Sequence, residues 1–300
     1  MQEHVPHHRE PFRSPLRDDA NRDLVALVTG GGTGIGRATA RELALTGAAV
    51  VICGRREAPL RSLADDLAAM GREILAVPAD VREPKQAARV VDGALARFGR
   101  VDVLVNNAGG QFEAPAERIG LKGWRAVHRL VVDAAWELTR SVAERSMIPN
   151  RRGLVVFIGF SPRRGMPGMA HAAAARAALE NLAGGLAIEW SRYGIRAVCV
   201  ACGTIDTEAL RAYGEGETER WAREVPLGRL GSPEEVASVI AFLSSPGGRY
   251  VTGTTIAVDG GLDAWGLATL PPPVERVGQR AAGHDPPDLR ADGLGPPERG

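Results

Sequence analysis

Leu24-Val25-Ala26-Leu27-Val28 runs directly into Thr29-Gly30-Gly31-Gly32-Thr33-Gly34-Ile35-Gly36, and no other stretch constrains the fold of this chain as tightly. Five apolar residues ending at a glycine cluster predict a buried parallel strand entering a tight turn. Residues 37–44 contain neither glycine nor proline and predict a helix. Strand, glycine turn and helix in succession aim backbone N–H groups and a helix N-terminus at one point, where a pyrophosphate can lie. Glycine is needed because a side chain would hold a phosphate away from the backbone. A glycine cluster alone would be a surface turn; the flanking strand and helix are the context that a dinucleotide-binding turn requires.

Behind this unit the pattern repeats. Strands are predicted at residues 48–53, 74–77, 101–105, 154–158, 196–200 and 255–258. Helices are predicted at 60–70, 83–98, 124–145, 170–190 and 233–243, the last with proline at its start, and 203–226 reads as irregular with short helices. Strand–helix alternation over about 240 residues predicts α/β architecture: a single doubly wound, Rossmann-type parallel sheet of seven strands with helices on both faces. The domain is expected over residues 24–269. Residues 1–23 are polar, hold three prolines with His4, His7 and His8, and lack apolar periodicity, so a disordered or loosely docked arm is expected. A solvated tail accounts for those histidines better than a metal site does. Residues 270–300 turn to Pro, Gly, Arg and Asp and read as a disordered tail.

A formal net charge of +1 argues against nucleic acid or an acidic membrane as the main partner. No apolar stretch reaches the length of a membrane span, and no charged-then-apolar leader opens the chain, so a cytoplasmic protein is expected. Cys53, Cys199 and Cys202 have neither a disulfide framework nor metal-ligand spacing.

Five motifs occur in order: TGGGTGIG at 29–36, Asp80-Val81, Asn106-Asn107-Ala108-Gly109, Pro226-Leu227-Gly228-Arg229 and Val258-Asp259-Gly260-Gly261. Together they resemble the short-chain dehydrogenase/reductase superfamily over residues 24–263. Within it, NAGGQF at 107–112 and GMPGMAHAAAARAALENL at 165–182 are similar to the peroxisomal trans-2-enoyl-CoA reductases and their bacterial relatives, with 2,4-dienoyl-CoA reductases as cousins. The resemblance implies hydride transfer to the β-carbon of an enoyl thioester, a small-molecule substrate, and a homodimer or homotetramer. It places Gly30, Gly34 and Gly36 around the pyrophosphate and Asp80 at the adenine, with Gly32, Thr33, Ile35 and Val81 also among the cofactor contacts. Asn107, Ala108 and Gly109 fall near the ribose, Arg176 on the ribose hydroxyls, and Gly203 and Ile205 also among the cofactor contacts. An NAD-specific fold carries an acid about twenty residues after the glycine turn. This chain has Cys53-Gly54-Arg55-Arg56 instead. Unless both arginines are mere surface charges, two guanidinium groups there favour a 2′-phosphate, so NADP(H) is expected over NAD(H).

Carbonyl-reducing members use a tyrosine four residues before a lysine. Four residues beyond Tyr193, Tyr213 and Tyr250 stand Ala197, Glu217 and Thr254, so no such pair exists. Alignment puts Ala172 at the tyrosine position, Arg176 at the lysine, Val131 at the helix asparagine, and Gly159–Phe160 near the usual serine with Ser161 adjacent. The enoyl-CoA reductase group resembles this chain at His171 and Arg176, and differs at Val131, Phe157, Ala172 and Cys202. Reducing a carbonyl leaves an alkoxide that needs a tuned acid, whereas reducing an activated C=C leaves an enolate that donors can stabilise. Arg176 stays cationic and can hold ribose hydroxyls or an oxyanion. His171 is the one side-chain acid of suitable pKa in the stretch, or else a helix-start histidine bonded to backbone. Arg176, His171 and Ser161 are therefore the expected catalytic residues. Cys202 is either a reactive thiol or a small residue filling the space of a proline. Two other readings stay open: a catalytically inactive pseudoenzyme that binds cofactor and partners an active paralogue, and a scaffold repurposed for non-redox chemistry.

Overall fold

A computed structural model of the chain describes residues 13–161, 165–211 and 216–264. The chain divides into two compact units, Met1–Gly266 and Leu267–Gly300. The second unit lies outside the described residues, as do the tail expected at 270–300 and residues 1–12 of the expected arm.

Seven strands form one sheet: β1 (Val25–Thr29), β2 (Ala49–Gly54), β3 (Ile74–Pro78), β4 (Val103–Asn106), β5 (Gly153–Phe160), β6 (Ile195–Cys202) and β7 (Thr255–Val258). Their order is β3-β2-β1-β4-β5-β6-β7 and every neighbouring pair is parallel. This is the doubly wound sheet expected from the sequence. The central strands are buried on both faces, which is why they read as continuous apolar runs rather than alternating ones. Ala26, Val28, Val50 and Ile52 enter one core with Leu43 of α1 (Gly34–Leu45), Leu60, Leu63 and Leu67 of α2 (Glu57–Ala69) and Ile240 of a later helix. Leu27, Val51 and Cys53 enter the other core with Val90 and Val91 of α3 (Pro84–Phe98) and with helices that follow. Successive residues thus serve opposite layers, and each fully buried Leu or Val contributes roughly 1.5–3 kcal/mol.

The helix expected at 124–145 is instead one longer helical run with two wide turns. It comprises α4 (Leu121–His128), a π-helical stretch Arg129–Asp133, α5 (Ala134–Val142), a second π-helical stretch Ala143–Met147, and α6 (Ile148–Asn150). A wide turn adds one residue without breaking the apolar pattern, so periodicity alone reads straight through it. α7 (Ala170–Trp190) has the bounds expected. α8 (Glu208–Arg211) and α9 (Glu217–Glu224) supply the short helices of the irregular stretch. α10 (Pro233–Ser244) starts on a capping box in which the Ser232 hydroxyl accepts from Glu235 N–H and the Glu235 carboxylate accepts from Ser232 N–H.

Residues 13–23 lie against this domain. Asn21 is fully buried, and its amide nitrogen donates to Thr46 Oγ1 at 2.8 Å and to the Ala241 carbonyl at 3.2 Å. Among the described residues no helix is long and apolar enough to cross a membrane.

Candidate active site

The strand order reverses between β1 and β4, and the crevice above their C-terminal ends is where open α/β sheets bind ligands. Thr29 closes β1 and ties the two strand ends together. Its hydroxyl oxygen accepts from the Asn107 N–H at 3.0 Å and the Ala108 N–H at 2.8 Å. The Asn107 side chain donates to the Thr29 carbonyl at 2.8 Å. In the turn itself, Gly30 and Gly34 hold positive φ angles of 65° and 52°. A Cβ at Gly36 would overlap the Gly30 carbonyl oxygen and the Asn107 amide nitrogen, so the first turn of α1 sits hard against the turn it follows. A Cβ on Gly34 would reach Thr207 at 3.2 Å, which brings the loop after β6 up to the same turn. The result is a cradle of backbone at a helix N-terminus, and these residues fit a bound dinucleotide.

At the end of β2, Arg56 donates to Thr33 Oγ1 at 3.3 Å. Arg55 has no hydrogen bond or ion pair among the described residues, and its charge reaches Asp80. Asp80 is held by Arg82, whose Nη2 lies 2.5 Å from Oδ2 and whose Nε lies 2.9 Å from Oδ1. The hydrogen bonds from Arg82 keep the Asp80 carboxyl below the usual carboxylate range. Val81 is buried beneath it. Arg55, Arg56 and Arg82 give this end of the cleft a cationic wall suited to a phosphate.

At the other end, α7 carries His171 and Arg176 inward, both buried. Arg176 Nη1 donates to the Ile158 carbonyl of β5, its Nη2 lies where a Cβ of Gly109 would be, and its Nε has no partner. Burial lowers the Arg176 pKa, yet guanidinium starts so high that it stays cationic. His171 has no hydrogen-bond partner on either ring nitrogen, and burial, aided by the charge of His128, lowers its pKa. It is therefore not the backbone-bonded helix-start histidine that the sequence left open. Ser161 is also buried, but its hydroxyl donates to Asp259 Oδ2 at 2.5 Å, beyond the end of β7. Gly203, after β6, leaves the room that Asp259 fills, and Ile205 pairs with Gly231. Cys202 is buried and its thiol is pushed up to about 12, which removes the reactive-thiol reading: almost no thiolate exists near neutral pH. Val131, in the first π-helical stretch, and Phe157 and Ala172 all lie in one apolar core.

The family model described as enoyl-(acyl carrier protein) reductase matches residues 30–263, most of the chain and every residue of this site but Thr29. The chain belongs to the short-chain dehydrogenase/reductase superfamily. Among its relatives, a probable 2,4-dienoyl-CoA reductase of Bacillus subtilis is 35% identical over 240 residues, covering 78% of this chain and 94% of the relative. The citronellol catabolism dehydrogenase of Pseudomonas aeruginosa has a solved structure that is 37% identical, with a TM-score of 0.75, over 84% of this chain and all of that one. A blue fluorescent protein from a metagenomic library, solved in complex with NADPH, is 33% identical with a TM-score of 0.75, over 81% of this chain and 99% of that one. Among the residues that shape this crevice, the sequence did not single out the roles of Thr29, Arg82 and Thr207. Thr29 opens the glycine motif and Arg82 follows Asp80 by two residues, so both had a local signal. Thr207 had none, because only the return of β6 to the crevice brings it near Gly34.

Proposed function

We propose that this chain is an NADP(H)-dependent reductase that saturates the C=C bond of an α,β-unsaturated acyl thioester. The carrying observation is a buried cation and a buried neutral imidazole, Arg176 and His171, both with unpartnered N–H-bearing atoms, in a fold whose crevice has a dinucleotide cradle. Buried polar atoms without partners are rare and call for a ligand or a catalytic role. The relatives named as 2,4-dienoyl-CoA reductases support the substrate class.

Bound at the cradle, NADPH would supply a hydride to the substrate's β-carbon. Gly30, Gly34 and Gly36 would let backbone N–H groups approach the pyrophosphate, and Arg55 and Arg56 would receive a 2′-phosphate, with Arg82 held on Asp80 beside them. Electron density pushed from the C=C bond onto the thioester oxygen gives an enolate. Arg176, anchored through Ile158, offers Nε to a ribose hydroxyl or to that oxygen. His171, neutral, would offer its ring N–H as a hydrogen bond to the enolate, and the α-carbon takes its proton from water, so NADPH, one proton and the enoyl thioester give NADP⁺ and the saturated thioester. No alkoxide forms, so the chemistry does not call for a tyrosine–lysine pair. Ser161, committed to Asp259, serves by holding the ends of β5 and β7 together rather than by touching substrate.

The test is loss of NADPH absorbance with trans-2-butenoyl- to trans-2-decenoyl-CoA, with the saturated product identified by mass. Arg176→Met is expected to lower kcat/KM about 10²–10³-fold and His171→Phe about 10²-fold or more. Tight NADPH binding without turnover of any such thioester would overturn the reductase reading and favour the cofactor-binding subunit.

A further inference from the structure

Phe112, in the loop after β4, stacks its ring on the buried imidazole of His171, with centroids 4.2 Å apart and planes tilted by 39°. The tip of the same ring occupies the space above Gly123 in α4, where a Cβ would come within 2.7 Å of Phe112 Cζ. The loop is stitched to the segment before α7, since Ala114 N–H donates to the Gly168 carbonyl at 3.0 Å. One aromatic ring therefore bridges α4 and α7 over the candidate catalytic histidine. Next to Gly123, Trp124 stacks on His128 with centroids 4.3 Å apart, and the charge of His128 reaches His171. These contacts place Phe112, His171, His128 and Trp124 in one cluster. Its outer members remain in water, Phe112 39% and Trp124 38% exposed, and Leu121, one helical turn before Trp124 at the start of α4, is 61% exposed. A strip of large apolar side chains leading outward from a buried polar site is suited to the hydrocarbon part of a substrate.

We propose that Phe112, Trp124 and Leu121 form the subsite for the hydrocarbon chain of the acyl group and set the chain-length preference. This rests on the reading of the site as an enoyl-thioester reductase. A four-carbon acyl group ends near His171, and longer chains run out over Phe112 toward Trp124 and Leu121, exchanging exposed apolar surface for contact.

The experiment compares trans-2-butenoyl- and trans-2-decenoyl-CoA with the wild-type protein and with Phe112→Ala, Trp124→Ala and Leu121→Ala. The wild type is expected to favour the ten-carbon substrate in kcat/KM by at least about tenfold, carried mainly by KM. In Trp124→Ala and Phe112→Ala that ratio falls to about threefold or less. Trp124 and Leu121 are surface residues, so their variants decide the matter even if Phe112→Ala loosens the loop. A wild-type ratio near one, or a ratio unchanged in all three variants, overturns the proposal. So does a change of oligomeric state with the ratio intact, which would make the strip an interface between copies. If no thioester is turned over, the reductase reading fails by itself, and calorimetric binding of butyryl- and decanoyl-CoA decides the subsite: tighter decanoyl binding lost in Trp124→Ala supports it, and equal binding overturns it.

Discussion

A methyl group at position 36 would meet the Gly30 carbonyl and the Asn107 side chain, neither of which can move without opening the crevice. Gly36→Ala is therefore expected to destabilise the fold by about 1–3 kcal/mol and to weaken NADPH binding, checked by denaturant melts and fluorescence titration. Arg55 is unpaired among the described residues and faces the same end of the cleft as Asp80. Arg55→Glu should weaken NADPH about 10–100-fold while leaving NADH nearly unchanged, which a paired titration reads directly. His171 titrates below an ordinary histidine because burial disfavours its charge. The unfolded chain then binds more protons than the folded one just below the usual histidine pKa, so stability falls as pH drops through about 6.5. Urea melts at about pH 7.5 and about pH 5.5 should show a smaller acid loss in His171→Phe than in the wild type. At this scale the residue types of the site were legible: arginines after β2, Arg176, His171. The partners were not, because the ties of Ser161 to Asp259, Asp80 to Arg82 and Thr29 to Asn107 depend on side-chain directions that spacing does not specify.

Helices differed in how plainly the sequence announced them. α7 was readable to the residue, since its alanines favour helix and Gly194 closes the turn beyond it in a left-handed conformation. α10 was readable at its start through Ser232, Pro233 and Glu235. Ser232→Ala removes one half of the capping box and should cost about 1 kcal/mol in urea unfolding. The α4–α6 run was readable as helix but not as a helix with two π-helical stretches, because its apolar residues stay in phase with the core on either side. That matters for function: the first wide turn contains Val131, and its buried side chain belongs to the core shared with Phe157 and Ala172. Those positions contribute packing, and under the proposed function the polar chemistry falls to Arg176 and His171.

At the scale of the molecule, the candidate cofactor contacts come from the ends of β1, β2, β3, β4 and β6, so binding there would brace the sheet across its switch point. Saturation with NADPH at about a hundred times its Kd should add about 2.7 kcal/mol and raise Tm by roughly 5 °C or more, with a smaller shift for NADH. Equal shifts would remove the case for the 2′-phosphate. The superfamily resemblance also leads us to expect a homo-oligomer, which light scattering would read. The alternation of strands and helices, the seven strands, the glycine turn and the absence of a Tyr-x3-Lys pair were determined by the sequence alone. These depend on local apolar runs, helix formers and glycines whose meaning is carried within a few residues. The tertiary structure alone decided that Cys202 is buried, that Ser161 belongs to Asp259, that Thr207 faces the glycine turn and that Phe112 covers His171. Each of those joins residues far apart in the chain, and burial and hydrogen-bond direction exist only once the sheet has brought its strand ends to one edge. The glycine turn says where a dinucleotide can lie; the packing of α4 and α7 around Arg176 and His171 says what can be done beside it.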